Sequence, residues 1–486
     1  MAGEKGFGRR EFLGGAASLL ATAGMGRFAF GGGAADAARL RVGVLSDIHI
    51  FSRDGRKEGC EGLKMFEKAL RYFRGRGVDA VVIAGDMADG SHKNELLAIG
   101  ETWRKVFGGT AVEKVFVYGN HDAQKGVFFN RGKRKIDTNN DSAAFEIGHG
   151  GNRAKFWREA FDEDYAPMYV KDVKGCKFVG VHFGEFDKEG AVAAFLEKNR
   201  ALLAGDRPFF YVQHYHPKGT CSAPWTWGQD SGASTAALKA FPNAVAFSGH
   251  SHTPLTDERT LWRGDFTSVG TASLKYLIPF GGRENSRIFG TDDVMTQQMP
   301  YLGCRDGHHG MLMDVYGDRI VLERRDFEND LPVGPDWVVP LPAAAATFEE
   351  RAAKSSAPEF APGAKVETRR VSGKNRKGRK VDQIAVEFPT VRGLDGGARA
   401  FDYEVKVLAR EVDRVKVWAT KRVYSPHFYW AKEKDDAKTV CLFAASELPP
   451  GNGGLAPERG TTYRFAVSAA DSFGNQGRAI CSGEIQ

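Results

Sequence analysis

Ala80-Val81-Val82-Ile83-Ala84-Gly85-Asp86 decides how this chain of 486 residues is read. Five apolar residues run without a polar break, then come a glycine and a carboxylate. Such a run reads as a strand buried on both faces, the kind that parallel sheets use. The glycine allows close backbone approach, and Asp86 stands just past the strand's carboxyl end. The same grammar recurs on either side. Leu40-Arg41-Val42-Gly43-Val44-Leu45 runs towards Asp47-Ile48-His49, and Lys114-Val115-Phe116-Val117-Tyr118 into Gly119-Asn120-His121-Asp122. Phe209-Phe210-Tyr211-Val212 runs towards His214, and Ala244-Val245-Ala246-Phe247 towards Gly249-His250-Ser251-His252. Phe178-Val179-Gly180-Val181 adds a further strand. Helical patterns lie between: Leu63, Phe66, Leu70 and Phe73 at helical spacing, then Glu95 to Phe107, then Ala191 to Leu203. The alternation predicts an α/β (α+β) domain.

Open α/β sheets gather ligands at the strand carboxyl ends, and here each of these ends delivers polar groups. Carboxylates and imidazoles together suit Zn, Fe or Mn. Two such cations can stabilise both the attacking and the leaving oxygen of a phosphoester. Asp47 and His49 share one face if their backbone is extended. Asp86 has two oxygens and can bridge two metals; its plainer reading is a helix N-cap. Asn120 offers a neutral oxygen. His214 alone reads equally as a hydrogen-bonded core histidine. His250 and His252 flank the small Ser251, and this is the most specific of the motifs.

Taken together, these motifs resemble the calcineurin-like metallophosphoesterase superfamily. The resemblance runs from about Arg41 to Phe327 and includes Phe266 to Ser273 after the last motif. It implies a four-layer fold, a central β-sandwich flanked by helices. It implies two metal ions, one held by Asp47, His49, Asp86 and His252, the other by Asp86, Asn120, His214 and His250. It implies hydrolysis of a small phosphate ester, a phosphodiester slightly preferred over a monoester, by attack of a metal-bridging hydroxide. His121 would contact the scissile phosphate, where a cationic imidazole stabilises charge or gives a proton. Asp89 is the orienting acid that the resemblance suggests for His121, and Asp122 is the alternative. Purple acid phosphatases carry a tyrosine where Asp89 stands, so iron–tyrosinate chemistry is not expected. The competing class is a non-catalytic envelope- or glycan-binding protein with a relic domain, but every ligand position is filled.

The remaining sequence sets the context. Hydrophobic residues at 42% and charged residues at 27% are ordinary for a globular protein, and the net charge of +7 requires no nucleic acid. Residues 1–37 resemble a twin-arginine export signal: Arg9-Arg10-Glu11-Phe12-Leu13, a weakly apolar stretch, and small residues at Ala35 and Ala37. Twin-arginine machinery is thus an expected partner, and a periplasmic or extracellular bacterial location is expected. No apolar run is long enough for a transmembrane helix. The expected divisions are a phosphoesterase domain over 39–330, a linker over 331–361, and an alternating all-β sandwich over 362–486. Tyr463 to Gly474 resembles the end of a fibronectin type III domain, and envelope or glycan contact is a candidate role for that region. The basic runs Arg131 to Lys135 and Arg369 to Lys380 read as solvated loops. His216, His308, His309, Trp225 and Trp227 are candidates to line the cleft. There is no Cys-x-x-Cys, and Cys441 and Cys481 either pair or remain buried free thiols.

Overall fold

The structure is a computed structural model. It describes residues 37–51, 61–123, 145–221, 228–278, 283–285, 307–342, 346–374, 379–391, 399–411, 414–426, 438–449 and 461–485. The twin-arginine motif, the loop 131–135, Trp225, Trp227, Cys60 and Cys304 lie outside the described residues.

The first half alternates strand and helix: β1 (Leu40–Leu45), α1 (Glu61–Gly75), β2 (Ala80–Ala84), α2 (Lys93–Phe107), β3 (Glu113–Val117), α3 (Asn120–Ala123) and α4 (Asn152–Phe161). Then come β4 (Met168–Val173), β5 (Cys176–Val181), α5 (Ala191–Lys198), α6 (Arg200–Leu203), β6 (Phe209–Val212), α7 (Ala233–Leu238), β7 (Ala244–Ser248), β8 (Leu261–Arg263) and β9 (Thr267–Gly270). β10 (His309–Val315), β11 (Arg319–Asp326), β12 (Leu331–Pro332), β13 (Trp337–Pro340) and α8 (Phe348–Lys354) follow.

Two mixed sheets result. One runs β12-β11-β10-β1-β2-β3 with β13 beside β11, and the other runs β4-β5-β6-β7-β9-β8. The strands that deliver the motifs are parallel neighbours: β1 with β2 and β2 with β3 in one sheet, β6 with β7 in the other. Val42, Val44, Val82, Ala84 and Val117 pack against Phe210, Val212, Val245 and Phe247 between the sheets. On the outer faces Phe66, Leu70 and Phe73 of α1 and Ile99 of α2 cover one sheet, while Val192 and Leu196 of α5 cover the other. This is the expected four-layer α/β fold. Helix α2 starts at Lys93, earlier than the apolar pattern suggests, because His92 and Glu95 form a capping box. The helix expected from Ala191 to Leu203 breaks into α5 and α6 at Asn199, whose φ of −102° and ψ of 8° leave the helical region.

The stretch read as linker is more ordered than its proline and alanine content suggests. β12 and β13 both pair with β11, and Val333, Trp337 and Val339 are buried in the core between the sheets. Beyond it lies an all-β region: β14 (Glu367–Lys374), β15 (Lys380–Pro389), β16 (Asp402–Glu411), β17 (Arg414–Tyr424), β18 (Lys438–Ala444), β19 (Thr461–Ala470) and β20 (Ile480–Cys481). These form a sheet β14-β15-β18 and a sheet β17-β16-β19-β20. Alternation places Ile384, Val386 and Phe388 against Val405, Val407, Phe465 and Val467 in one shared core. Cys441 and Cys481 are free thiols, the first buried and the second exposed.

Candidate metal centre

The centre is built where the backbone leaves the strands. After β1 and β2 the chain turns sharply while still paired: Asp47 N–H donates to Gly85 O at 3.0 Å, and Ile48 N–H to Asp86 O at 2.9 Å. Asp47, His49, Asp86, His250 and His252 all have left-handed backbones, with φ of 52°, 46°, 52°, 66° and 52°. The extended backbone expected at Asp47-x-His49 is therefore corrected. The two side chains still converge, to 3.7 Å between His49 Nε2 and Asp47 Oδ1, because paired left-handed turns bring them there. Each such residue costs on the order of 1–3 kcal/mol and persists only when its surroundings fix it. Here they do. His250 N–H donates to both Asp47 oxygens at 3.2 and 3.0 Å, and His121 N–H donates to Asp86 Oδ1 at 2.8 Å.

The side chains form two groups, linked by a third in which His49, Asp86 and His121 converge. Asp47, His49 and His252 make one: His252 Nε2 lies 3.1 Å from Asp47 Oδ1 and 3.2 Å from His49 Nε2. Asp86, His214 and His250 make the other, with Asn120 Oδ1 3.0 Å from His214 Nε2. Asp86 Oδ2 lies between them, 3.1 Å from His214 Nε2 and 3.7 Å from His49 Nε2. It is buried and makes no hydrogen bond of good geometry, with His214 as its ion-pair partner. A buried carboxylate oxygen amid converging imidazole nitrogens and a second carboxylate is a donor set that two cations fit.

The imidazoles are aimed from behind. His214 Nδ1 is 2.8 Å from Ala84 O and His252 Nδ1 is 2.8 Å from Tyr276 O, while His49 Nδ1 has the Asp89 carboxylate 3.2 Å away without a hydrogen bond. An oxygen behind Nδ1 fixes the tautomer that presents the Nε2 lone pair forward, as metal-binding histidines require.

His121 differs. Its side chain is 16% exposed, whereas those of His49, His214 and His252 are at most 3% exposed. Its Nδ1 lies 2.8 Å from the main-chain oxygen of Asp89, while the Asp89 carboxylate is farther, at 3.7 Å. Asp89 thus orients His121 through its carbonyl, and its carboxylate is nearer His49. Asp122 does not face His121. Its carboxylate accepts from the N–H groups of Met87, Ala88 and Gly119 at 3.3, 2.7 and 2.8 Å. It ties the loop after β2 to the loop after β3. Burial, with the nearby charge of Asp86, pushes its carboxyl up to about 7.

Residues 40–254 match the family model described as calcineurin-like phosphoesterase. This part of the chain is a calcineurin-like phosphoesterase domain. It is a metal-dependent phosphoesterase, and β10 and β11 complete its first sheet beyond the matched segment. Among solved structures, a dimetal phosphatase from Danio rerio is 13% identical, covers 62% of this chain and 99% of its own, and superposes with a TM-score of 0.39. A purple acid phosphatase from yellow lupin (Lupinus luteus) is also 13% identical, over 62% of this chain and 53% of its own, with a TM-score of 0.39. No curated protein sequence matches. The assignment rests on the family match and the convergence of the motifs.

His216, His308 and His309 are scaffolding. His216 is buried with Nδ1 2.7 Å from Ser248 Oγ and Nε2 2.7 Å from Ser251 Oγ, so it braces the Gly249–His252 turn. His308 Nδ1 bonds to Leu274 O, and His309 Nδ1 accepts from Leu255 N–H. The sequence did not point to Tyr276, whose ring centroid is 4.3 Å from that of His252, or Tyr215, which stacks on His250 at 4.1 Å. Neither belongs to a motif, and a stacked tyrosine has no spacing signature.

Electrostatics show what the cations would replace. Burial favours neutral His49, but the neighbouring carboxylates of Asp47, Asp89 and Asp86 outweigh this and raise it to about 10. His214 is likewise raised to about 9, burial being outweighed by Asp86. At pH 7 both rings therefore carry protons that cations must displace, since only a neutral imidazole binds metal. Loading at pH 7 should release about two protons from these rings, and apparent affinity should climb as pH rises towards 9. Titration of metal into the metal-free protein in a pH-stat, or calorimetry in buffers of different ionisation enthalpy, reads the number. Loading without proton release contradicts the assignment of these two rings as ligands.

Proposed function

We propose that the chain is an exported, dinuclear phosphoesterase acting on small phosphate esters, diesters slightly in preference to monoesters. The observation that carries the reading is Asp86 Oδ2, buried between two histidine–carboxylate groups, 3.1 Å from His214 Nε2 and 3.7 Å from His49 Nε2. Asp47, His49, Asp86 and His252 would hold one cation; Asp86, Asn120, His214 and His250 would hold the other. Zn, Fe and Mn all suit these donors. When bound, two such cations lower the pKa of water and stabilise charge on the attacking and leaving oxygens.

The chain's own groups supply the rest. The Asp89 carbonyl fixes the His121 Nδ1 proton, so Nε2 donates only when the ring is cationic. As the solvent-reaching imidazole beside Asp86, His121 is placed to meet a phosphoryl oxygen or the leaving oxygen. Asp89 and Asp122 act as positioning residues, one on His49 and His121, the other on the two loop backbones. The experiment is turnover of an aryl phosphodiester and an aryl phosphomonoester by protein loaded separately with Mn, Zn or Fe, with metal content measured. Two bound equivalents and no hydrolysis of either ester would sink the reading. A faster monoester would reverse only the stated preference.

Export belongs to the same proposal, supported by the paired arginines, apolar stretch and small residues of 1–37. Arg9→Lys with Arg10→Lys is expected to leave the protein in the cytoplasm of a bacterial host, and unchanged export refutes the route. The two antiparallel C-terminal sheets, of three and four strands, support a fibronectin type III-like sandwich.

A further inference from the structure

The imidazole of His250 is held by close contact on its ring. The Tyr215 ring stacks on it, with centroids 4.1 Å apart and planes 28° from parallel. Rotation about the His250 Cβ–Cγ bond would drive one edge of the imidazole into that face, whichever way it turned. Phe183 and Phe186 stand against Tyr215 at centroid distances of 5.2 and 5.5 Å, so Tyr215 has little room to withdraw. Gly228 approaches the same imidazole. A Cβ built on Gly228 would overlap His250 Cδ2 and lie 2.7 Å from Nε2, so the close approach needs a glycine. Its φ of 90° is also a backbone that glycine adopts without strain.

Both residues are fixed from the end of β6. His216 N–H donates to Gly228 O at 3.1 Å, and Asp230 N–H donates to His216 O at 3.0 Å. The Asp230 carboxylate is buried, and it accepts from Lys218 N–H at 2.9 Å and from Gln213 Nε2 at 3.1 Å. Gln213 Nε2 also donates to Tyr215 O at 2.6 Å. The hydroxyls of Tyr211 and Ser234 donate to Gln213 Oε1 at 2.8 and 2.6 Å, which fixes how its amide points. One buried amide thus ties the backbone of Tyr215 to the loop that carries Gly228.

We infer that Tyr215 and Gly228 are positioning residues of the metal centre, an aromatic face and a bare backbone that together seat the His250 imidazole for a cation. The inference rests on the reading of His250 as a ligand. His214 and His252 are aimed by a carbonyl behind Nδ1, and the seat adds a restraint that acts on the ring itself.

The test compares Gly228→Ala with Gly232→Ala. Both put a side chain on a left-handed backbone of the same loop, with φ of 90° and 103°. Only the first meets the imidazole, since a Cβ on Gly232 meets the Lys218 side chain alone, at 3.5 Å. In Gly228→Ala and Tyr215→Leu, one of two Mn equivalents should need about tenfold more metal for half-saturation in equilibrium dialysis. Tyr215→Phe keeps the stacking ring and should recover the binding that Tyr215→Leu loses. Gly232→Ala should match the parent. The second readout is metal-free protein labelled at histidine Cε1, with the His250 Hε1 signal identified by its loss in His250→Gln. The tyrosine face shields that proton, so its signal should move downfield in Gly228→Ala and Tyr215→Leu and return in Tyr215→Phe. Parental Mn binding or an unmoved Hε1 signal in both Gly228→Ala and Tyr215→Leu overturns the inference, as does an equal change in Gly232→Ala. The Hε1 signal is read without metal, so a parent that binds no cation would count against the metal reading alone. Tyr215→Leu keeps the test available if Gly228→Ala does not fold.

Discussion

Asp86→Ala is expected to remove both metals and to lower turnover of an aryl phosphate ester by about a thousandfold or more, since several kcal/mol of charge stabilisation leave with the cations. The reason is position. Asp86 is the carboxylate within reach of both histidine groups, 3.1 Å from His214 Nε2 and 3.7 Å from His49 Nε2. Its other oxygen accepts the His121 N–H, so truncation also frees the turn that carries Asn120 and His121. Asp86→Asn separates the two effects. It keeps an oxygen for the amide and loses the charge, so the fold should survive while metal content falls. Elemental analysis and turnover should fall together in both variants. A fully metal-loaded, active Asp86→Ala would falsify the bridging role.

Gly119→Ala is expected to cost about a hundredfold in activity, the scale on which a misplacement of roughly 1 Å at a reacting centre acts. A Cβ built on Gly119 would lie 2.1 Å from Asp86 Oδ1 and 2.5 Å from Asp86 N. One partner is the bridge and the other is its own backbone, so no flexible side chain can give way. Relief requires the loop after β3 to withdraw from the loop after β2, against the amides that Asp122 holds. Overpacking of this kind also costs ~1–3 kcal/mol of stability. Urea unfolding together with turnover measures both, and an alanine variant with parental values of each would show that these loops yield freely. Gly249 faces a similar limit, since a Cβ there would lie 2.3 Å from Asp47 Oδ2.

Much of this was legible beforehand because buried parallel strands declare themselves. β2 is apolar at every position and is buried at every position. Motifs placed just past such strands could only gather at one end of the sheets, and Asp47, His49, Asp86, Asn120, His214, His250 and His252 do gather there. What the sequence hid was conformational or long-range. Left-handed φ at aspartate and histidine has no signature in composition. The carboxylate of Asp89 lies nearer His49 than His121, and that depends on where two loops end. Asp122 sits inside a motif, yet its partners are amides of another loop. The proline-rich stretch after β11 concealed β13, whose buried positions are Trp337 and Val339 alone.

The left-handed ligand turns have a consequence for which cations this protein can use. The torsions of Asp47, His49, Asp86, His250 and His252 are held by amides and carbonyls of the chain itself, so the outline of the site is a property of the chain. Exchanging one transition metal for another should then alter the rate of catalysis while leaving the outline of the cradle as it was.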